Sequence, residues 1–259
     1  MKAPIHKLQI QRYNYVIVFI ILLSLLPHTI LSQTSSSSFK DEYLTSNFKT
    51  FYAVDFEMGY CIGPIVEKRL VKTLQDSASF QYPFDSLSRY VKIRTSENGL
   101  LRTFSWDRRS GGTWHNMASY AQYKTDSGMV HCQKLDSGNE GKTGAPTDVV
   151  IYDIHTLLIE NEPHYLLLGW GTHGSGKHHS LARVYKIEED TLRQCDTIFE
   201  GQPDLAVYAN RINKIELQYT PKTQTITYYH YEYDPDSGFF KREGSMEKWF
   251  LKNKVFLKQ

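Results

Sequence analysis

The chain has 259 residues, of which 30 are basic and 28 acidic. Residues 1–32 hold three of the basic residues and no acidic one, so the 227 residues that follow carry 27 basic against 28 acidic side chains. A chain this close to neutrality offers no electrostatic basis for binding nucleic acid or an anionic membrane, and we expect neither as a partner. Its length is sufficient for one domain with a well-buried core.

The N-terminus has the parts of a secretory signal peptide in their usual order. A basic start precedes an apolar run at 15–26, and the small residue Ser32 follows. The run of about 12 residues is shorter than the roughly 20 that cross a bilayer. We therefore predict a signal peptide over 1–32 and an exported protein (periplasmic, cell-surface or secreted) with no stable membrane span after cleavage. An uncleaved anchor is the alternative, because 27–31 could extend the apolar run.

After the predicted signal peptide, composition suggests a flexible serine-rich lead-in over 33–40 and then a single domain over 41–259. The first part of that domain, 41–84, is predicted to be a helical cap. Within it Pro64 suits the first turn of a helix, and apolar residues then recur every four positions, which predicts a helix over 64–75. A second helix is predicted over 41–52.

From residue 89 onward the apolar pattern has period two. Val91 and Ile93 alternate with basic residues, and Asn98-Gly99 then predicts a tight hairpin turn before a return strand. Similar alternation recurs at 150–154, 181–187 and 215–219, with turn-forming residues between the runs. The sequence thus predicts a mainly β protein, an antiparallel meander forming a sandwich or open barrel, with a small N-terminal helical segment. No fixed repeat supports a propeller.

The segment 106–115 is the first candidate surface, because strand, glycine turn and strand would bring its polar groups to one end of a sheet. Its candidate binding residues are Trp106, Asp107, Arg108, Arg109, Trp114 and His115. The tryptophans would stack on a ligand and the arginines would donate hydrogen bonds. The alternative is a hairpin loop with one buried tryptophan.

Asp107, Ser110 and His115 are also the residue types of a hydrolytic triad. They lie within nine residues of one another, and no nucleophile-elbow motif accompanies them. We therefore leave the catalytic residues unassigned.

The segment 169–180 is the second candidate surface. Its residues 171–177 fit the start of a phosphate-binding loop, but the next position is His178 instead of Ser or Thr, and a strand, not a helix, is predicted to follow. We expect no nucleotide and no cofactor. His173, His178 and His179 are weak metal candidates, since adjacent histidines on an extended chain point to opposite faces, and we expect no metal site.

Two further features have open interpretations. Cys61, Cys132 and Cys195 form no paired motif, so one disulfide with a spare thiol and three free thiols both remain possible. Alternation over 225–233 would put Tyr229, Tyr231 and Tyr233 on one face, either as a row that stacks on sugars or as core packing.

Four landmarks carry a resemblance. The signal peptide, Tyr-Pro-Phe-Asp-Ser-Leu at 82–87, the run 102–107 and Gly-Gly-Thr at 111–113 resemble those of uncharacterised exported proteins of Bacteroidetes-type bacteria. The resemblance implies export and a shared fold, and no activity or functional residue comes with it.

The interpretation is thus an exported β-rich binding or interaction module of unknown ligand, a glycan or a protein. The alternative is an extracytoplasmic hydrolase acting on glycans, which would need two carboxylates roughly 5–10 Å apart in a deep pocket.

Overall fold

The computed structural model describes residues 27–110, 112, 115–135, 148–172, 174, 176–213 and 217–259, with side chains from residue 40 onward. About half of the chain is strand and a fifth is helix, so the protein is mainly β, as predicted. The predicted signal peptide lies largely outside the described residues and stays a prediction. No described helix is both long enough and apolar enough to cross a membrane.

Two helices form the N-terminal segment. Helix α1 is Pro27–Ala53 and helix α2 is Phe56–Leu74. The predicted helix over 41–52 lies within α1 and is confirmed, and it buries Leu44, Phe48 and Phe51 on one face. The serine-rich stretch 33–40, predicted as a flexible lead-in, also falls within the bounds of α1.

Helix α2 begins eight residues earlier than the sequence predicts. Asp55 caps it, accepting a hydrogen bond from the backbone N–H of Met58 at 2.8 Å. Pro64 is consequently inside the helix and not in its first turn. Proline has no N–H to donate to the carbonyl of Tyr60, so this position weakens the helix locally. The cap and the packing of Val66, Leu70 and Leu74 outweigh that loss.

The strands follow α2 in three antiparallel groups. Two 3₁₀ turns, Ser77–Ser79 and Leu87–Arg89, connect α2 to the first strand. The strands are β1 (Lys92–Thr95), β2 (Leu101–Asp107), β3 (Met117–Lys124), β4 (Val130–Lys134), β5 (Val150–Ile159), β6 (Glu162–Thr172), β7 (Lys177–Glu188), β8 (Thr191–Gln194), β9 (Asp204–Asn210), β10 (Gln218–Thr220), β11 (Thr225–Asp234), β12 (Phe239–Lys252) and β13 (Val255–Lys258).

Each group is a meander in which neighbours in sequence pair in space. The first sheet has the order β1-β2-β3-β4, the second β5-β6-β7-β8, and the third β10-β11-β12-β13. Strand β9 joins the second sheet by pairing with the first half of β7, while β8 pairs with its end. The hairpin predicted at Asn98-Gly99 connects β1 and β2, and Gly99 has the positive φ (70°) that such a turn requires.

The helices and the three sheets stack as layers, with a hydrophobic cluster in each gap. The clusters are represented by Phe48, Leu70 and Phe104 between helices and first sheet; Leu101, Tyr165 and Leu181 between first and second sheets; and Leu168, Val207 and Trp249 between second and third sheets. Because the second sheet has a core on both faces, β6 is buried at six consecutive positions.

The three tyrosines of β11 do not share one face. The pairing of β11 with β12 shifts register between Tyr229 and Tyr231, and this irregularity resets the alternation. Tyr231 packs against the same core as Tyr228, whereas Tyr229 is exposed with the Arg242 guanidinium over its ring at 3.3 Å. The alternation predicted for 225–233, which would put Tyr229, Tyr231 and Tyr233 on one face, is therefore wrong, and of the two interpretations core packing applies to Tyr231.

All three cysteines are free thiols. Cys61 is exposed, while burial raises the pKa of Cys132 to about 12 and that of Cys195 to about 11. These two thiols stay protonated at neutral pH and pack as small apolar groups.

Candidate functional site

The turn between β2 and β3 contains the first set of predicted site residues. The backbone N–H of Arg108 donates to the carbonyl of Asn116 at 2.8 Å, and that of Asn116 donates to the carbonyl of Ser110 at 3.1 Å. Asp107 accepts the N–H of Arg109 at 2.7 Å, which holds Arg109 at its positive φ of 55°. The turn is thus fixed by its own backbone and by one carboxylate.

The side chain of Arg109 caps the C-terminal end of α1. One guanidinium nitrogen donates to the carbonyls of Phe51 at 2.6 Å and Val54 at 3.0 Å, at the C-terminal end of α1. These carbonyls have no partner within the helix, and a cation there is favoured by the helix dipole. Arg109 therefore attaches the β2–β3 turn to α1.

Arg108 pairs with Glu67 of α2. Its Nε lies 2.9 Å from one carboxylate oxygen of Glu67 and a terminal nitrogen 3.0 Å from the other, a two-point contact. Tyr120 donates to the same carboxylate at 2.6 Å, and Arg108 also donates to the Asn116 side chain at 2.9 Å. Burial alone would raise the pKa of Glu67, but the hydrogen bonds from Arg108 and Tyr120 lower it below its usual range. Glu67 is therefore ionised at neutral pH.

Trp106 is buried, with 4% of its surface exposed. Its ring stacks on Tyr120 at 5.8 Å between centroids and meets the edge of Phe48 at 5.6 Å. The expectation that Trp106 offers an exposed stacking platform is wrong for this residue, because α1 covers the face of β2 on which it lies. Trp114 lies outside the described residues.

A cavity of about 890 Å³ opens between α2 and the first sheet. Phe51, Pro64, Val71 and Trp106 give it apolar walls, while Glu67, Arg108, Asn116 and Tyr120 form one polar side. Exposed Tyr60 and the ammonium groups of Lys68 and Lys72 border it as well. We call this space the first cavity. The sequence predicted two of its residues, Trp106 and Arg108, but not the contribution of α2.

Asp107 and His115 form a close pair beside this cavity, with 2.6 Å between a carboxylate oxygen and Nδ1. Within the described residues no hydrogen bond joins the Ser110 hydroxyl to His115, so the three do not form a complete triad. The N–H of His115 donates to Thr172 at 2.7 Å, which connects the β2–β3 turn to the end of β6.

The segment 169–180 is mostly strand. Residues 169–172 belong to β6 and 177–180 to β7, which leaves only 173–176 as a connection. The strand after Lys177 confirms that no helix follows the phosphate-loop-like motif. The glycines have a packing role: a Cβ on Gly169 would lie 2.5 Å from Val149, and one on Gly171 would overlap the carbonyl of Asp148.

The metal candidates do not converge. His178 and His179 are adjacent in β7 and face opposite sides of the second sheet, as expected for an extended chain. His178 accepts a hydrogen bond from the Trp170 indole at 3.1 Å, and Nε2 of His179 lies 3.3 Å from the carbonyl of Asp148. His173 lies outside the described residues. Among those described, no three acidic, histidine or cysteine side chains are grouped to hold a metal ion.

A second cavity of about 860 Å³ lies on the other side of the second sheet, where Trp170 and His178 meet the β9–β10 connection. It is lined by Lys92, Val150, Tyr152, Asp153, Trp170, His178, Arg211, Ile212, Leu217, Gln218, Tyr219 and Thr220. We call this space the second cavity. The second candidate surface, 169–180, contributes Trp170 and His178 to it, but sequence reasoning missed the other walls because they come from separate regions of the chain.

Comparison of the chain with models of known protein families, with curated proteins and with solved structures finds no match. The resemblance to exported Bacteroidetes-type proteins accordingly depends on the sequence landmarks alone.

Proposed function

We propose that this protein is an exported binding module that takes a small ligand in the first cavity. The observation that carries the proposal is the cavity itself: about 890 Å³ falls in the range of small-molecule sites, and its lining combines apolar with charged and hydrogen-bonding side chains. The Glu67–Arg108–Tyr120 contacts fix the polar groups before any ligand arrives, which lowers the entropic cost of binding.

Saccharides are the first ligand class to test. A sugar ring offers an apolar face to aromatic side chains and hydroxyl groups to charged ones, and both kinds of partner line the first cavity. Tyr60 at its rim is exposed by 67% and is placed to stack on a ring. A protein surface is the other partner class that the sequence leaves open.

The test is a substitution that fills the first cavity with a larger side chain. Val71→Phe adds a ring inside it, and Ile65→Phe is the matched control, since Ile65 is an exposed residue of the same helix that does not line the space. We expect a glycan array and saccharide titrations to give a signal that Val71→Phe reduces about tenfold or more, with Ile65→Phe unchanged. Binding that survives both substitutions would place the ligand elsewhere.

Export has its own test. We expect the protein recovered outside the cytoplasm to begin near Gln33, because the basic start, short apolar run and Ser32 together form a signal for cleavage. N-terminal sequencing that finds Met1 on membrane-embedded protein would contradict this.

An extracytoplasmic hydrolase is the second candidate, and the Asp107–His115 contact at 2.6 Å is what favours it. A carboxylate that orients a histidine is part of many hydrolytic sites. A glycosidase would instead need two acids, yet among the described residues Glu67 is the only acid lining the first cavity and Asp153 the only one lining the second. Cleavage of chromogenic esters or glycosides that His115→Ala abolishes would replace the binding proposal.

A further inference from the structure

The charges around the first cavity are unbalanced. Among the described residues that line it, Lys68, Lys72 and Arg108 are cations and Glu67 is the one acid. Arg108 and Glu67 neutralise each other through their two-point contact at 2.9 and 3.0 Å. Two positive charges therefore remain at the cavity, both on exposed lysines of α2.

Lys68 and Lys72 lie one turn apart on α2, so their ammonium groups are neighbours on the helix surface. No acid occupies the positions three or four residues from Lys68 in either direction. Asp76 has that spacing from Lys72, but its carboxylate pairs with Lys40. Within the part of the chain that the structure describes, no ion pair reaches either lysine of this pair. Like charges at this spacing destabilise a helix, so a negatively charged group between them would be favourable.

The helix by itself favours only one of these two cations. Lys72 lies in the last turn of α2, where the helix dipole favours a positive charge. Lys68 lies a turn earlier, where that effect has decayed. Arg69 beside it turns towards α1, where its guanidinium lies over the Tyr43 ring at 5.4 Å. Loss of the Lys68 charge is therefore the cleaner test of a ligand contact, because it leaves the end of the helix unchanged.

The rest of the lining suits a sugar that carries the negative charge. Tyr60 is exposed at the rim, where a sugar ring can stack on it. Gln75, Ser110 and Asn116 line the space as neutral polar groups, which exchange hydrogen bonds with hydroxyls. A lysine ammonium binds a carboxylate as a point charge, without the planar fork of arginine. A uronic acid combines a ring, hydroxyls and a carboxylate in one unit.

The helix also indicates the length of the ligand. Tyr60 and Lys68 are eight residues apart on α2, which is about 12 Å along the helix axis at a rise of about 1.5 Å per residue. A ligand that contacts both must therefore be longer than a single sugar ring.

We infer that the ligand of the first cavity is an acidic oligosaccharide, with the carboxylate of a uronic acid between Lys68 and Lys72 and a sugar ring against Tyr60. This inference rests on the function proposed above, because it names the ligand class of the same site.

The first experiment separates the charge from the sugar. Oligosaccharides of galacturonic and glucuronic acid are placed on a glycan array beside their carboxyl-reduced forms, and the best acid is titrated by calorimetry beside its reduced form and decanoate, a carboxylate without a sugar. We expect the acid to bind about tenfold more tightly than the reduced form and decanoate not to bind. Its affinity should fall as NaCl rises from about 0.1 to about 1 M, because salt screens exposed ion pairs. No signal from any uronic acid, equal affinity for acid and reduced form, an affinity that ignores salt, or binding of decanoate would each overturn the inference.

Substitutions of the lysines locate the carboxylate. We expect Lys68→Gln to weaken acid binding about two- to fivefold, with the reduced form unaffected, and Lys68→Arg to keep the wild-type affinity because it keeps the charge. In the double variant with Lys72→Gln, the acid should bind no better than its reduced form. Lys49→Gln is the matched control, since Lys49 is an exposed lysine of α1 that does not line the cavity. No loss in Lys68→Gln, or an equal loss in Lys49→Gln, would contradict the inference.

Val71→Phe distinguishes this inference from the proposed function. If a neutral glycan binds and Val71→Phe weakens it while the lysine substitutions do not, the first cavity is a saccharide site and the acidic ligand is wrong. If the acid responds to Lys68→Gln but not to Val71→Phe, the ligand lies on the surface of α2 outside the cavity, and both proposals fail.

Discussion

The two segments that the sequence marks as candidate surfaces, 106–115 and 169–180, have opposite structures. The first is a true connection, and its polar side chains hold it to both helices: Arg109 binds the end of α1 and Arg108 binds Glu67 of α2. The second is almost entirely paired strand, and its Gly169 and Gly171 leave room for Val149 and Asp148 beside the second sheet.

The difference shows that one composition can arise from two physical causes. Glycine and charged residues cluster at 106–115 because a turn needs positive φ and solvated groups. Glycine appears at 169 and 171 because the Val149 side chain and the Asp148 carbonyl approach the strand closely there. Only the first cause creates an exposed polar end. Two hydrogen bonds between His115 and Thr172 join the two segments: the His115 N–H donates to the Thr172 hydroxyl at 2.7 Å, and that hydroxyl donates to the carbonyl of His115 at 3.5 Å.

The prediction with the largest expected effect concerns Trp106, and it tests whether the segment 106–115 begins in the protein core. If the ring is core packing under α1, Trp106→Ala should cost about 3–5 kcal/mol of unfolding free energy. Its contacts with Tyr120 and Phe48 are the cause of that loss. Denaturant unfolding measures it. A loss below about 1 kcal/mol would mean that the ring is accessible and that the turn is a ligand platform after all.

The second prediction concerns the close approach at Gly171. An added Cβ would overlap the backbone carbonyl of Asp148 and lie 2.6 Å from the ring of His179, so Gly171→Ala should destabilise by about 1–3 kcal/mol. Gly59→Ala is the matched control: in α2 its Cβ would meet nothing nearer than 3.7 Å, and replacing a helical glycine should stabilise by up to about 1 kcal/mol. Thermal melts of both variants should move in opposite directions. If both move the same way, the glycine at 171 is not there for packing.

The fold could be predicted further than the site. Period-two alternation and the turn at Asn98-Gly99 identify antiparallel hairpins because each depends on neighbouring residues only. The start of α2 was misplaced because Pro64 is a stronger local signal than Asp55, although Asp55 makes the actual cap. The irregularity after Tyr229 was invisible because the partner strand, not β11 itself, determines register.

The cavities could not be predicted, because each combines distant parts of the chain. Glu67 and Arg108 are 41 residues apart, and only the packing of α2 on the first sheet brings them together. In the second cavity, Lys92 and His178 come from different sheets. A histidine count pointed to the segment of His178, but only the structure shows that this ring accepts the indole N–H of Trp170 at 3.1 Å.

The last prediction concerns the pH dependence of stability, which tests whether the Glu67–Arg108 ion pair holds the turn at 106–115 to α2. Because the pKa of Glu67 is lowered in the folded protein, the pair contributes stability that is fully present above the unfolded value of 4.5 and is lost as pH falls through the folded value. Glu67→Gln removes this titrating group and leaves Arg108 without its ionic partner, so we expect a loss of about 1–2 kcal/mol at pH 7. The difference between wild type and variant should shrink steadily below pH 4.5, since a protonated Glu67 resembles glutamine. Urea unfolding at several pH values between neutral and acidic measures both effects. A difference in unfolding free energy that stays constant into acid would show that Glu67 holds α2 on the first sheet by shape and neutral hydrogen bonds. Charge would then contribute no more to the stability of the turn at 106–115 than to that of the strands at 169–180.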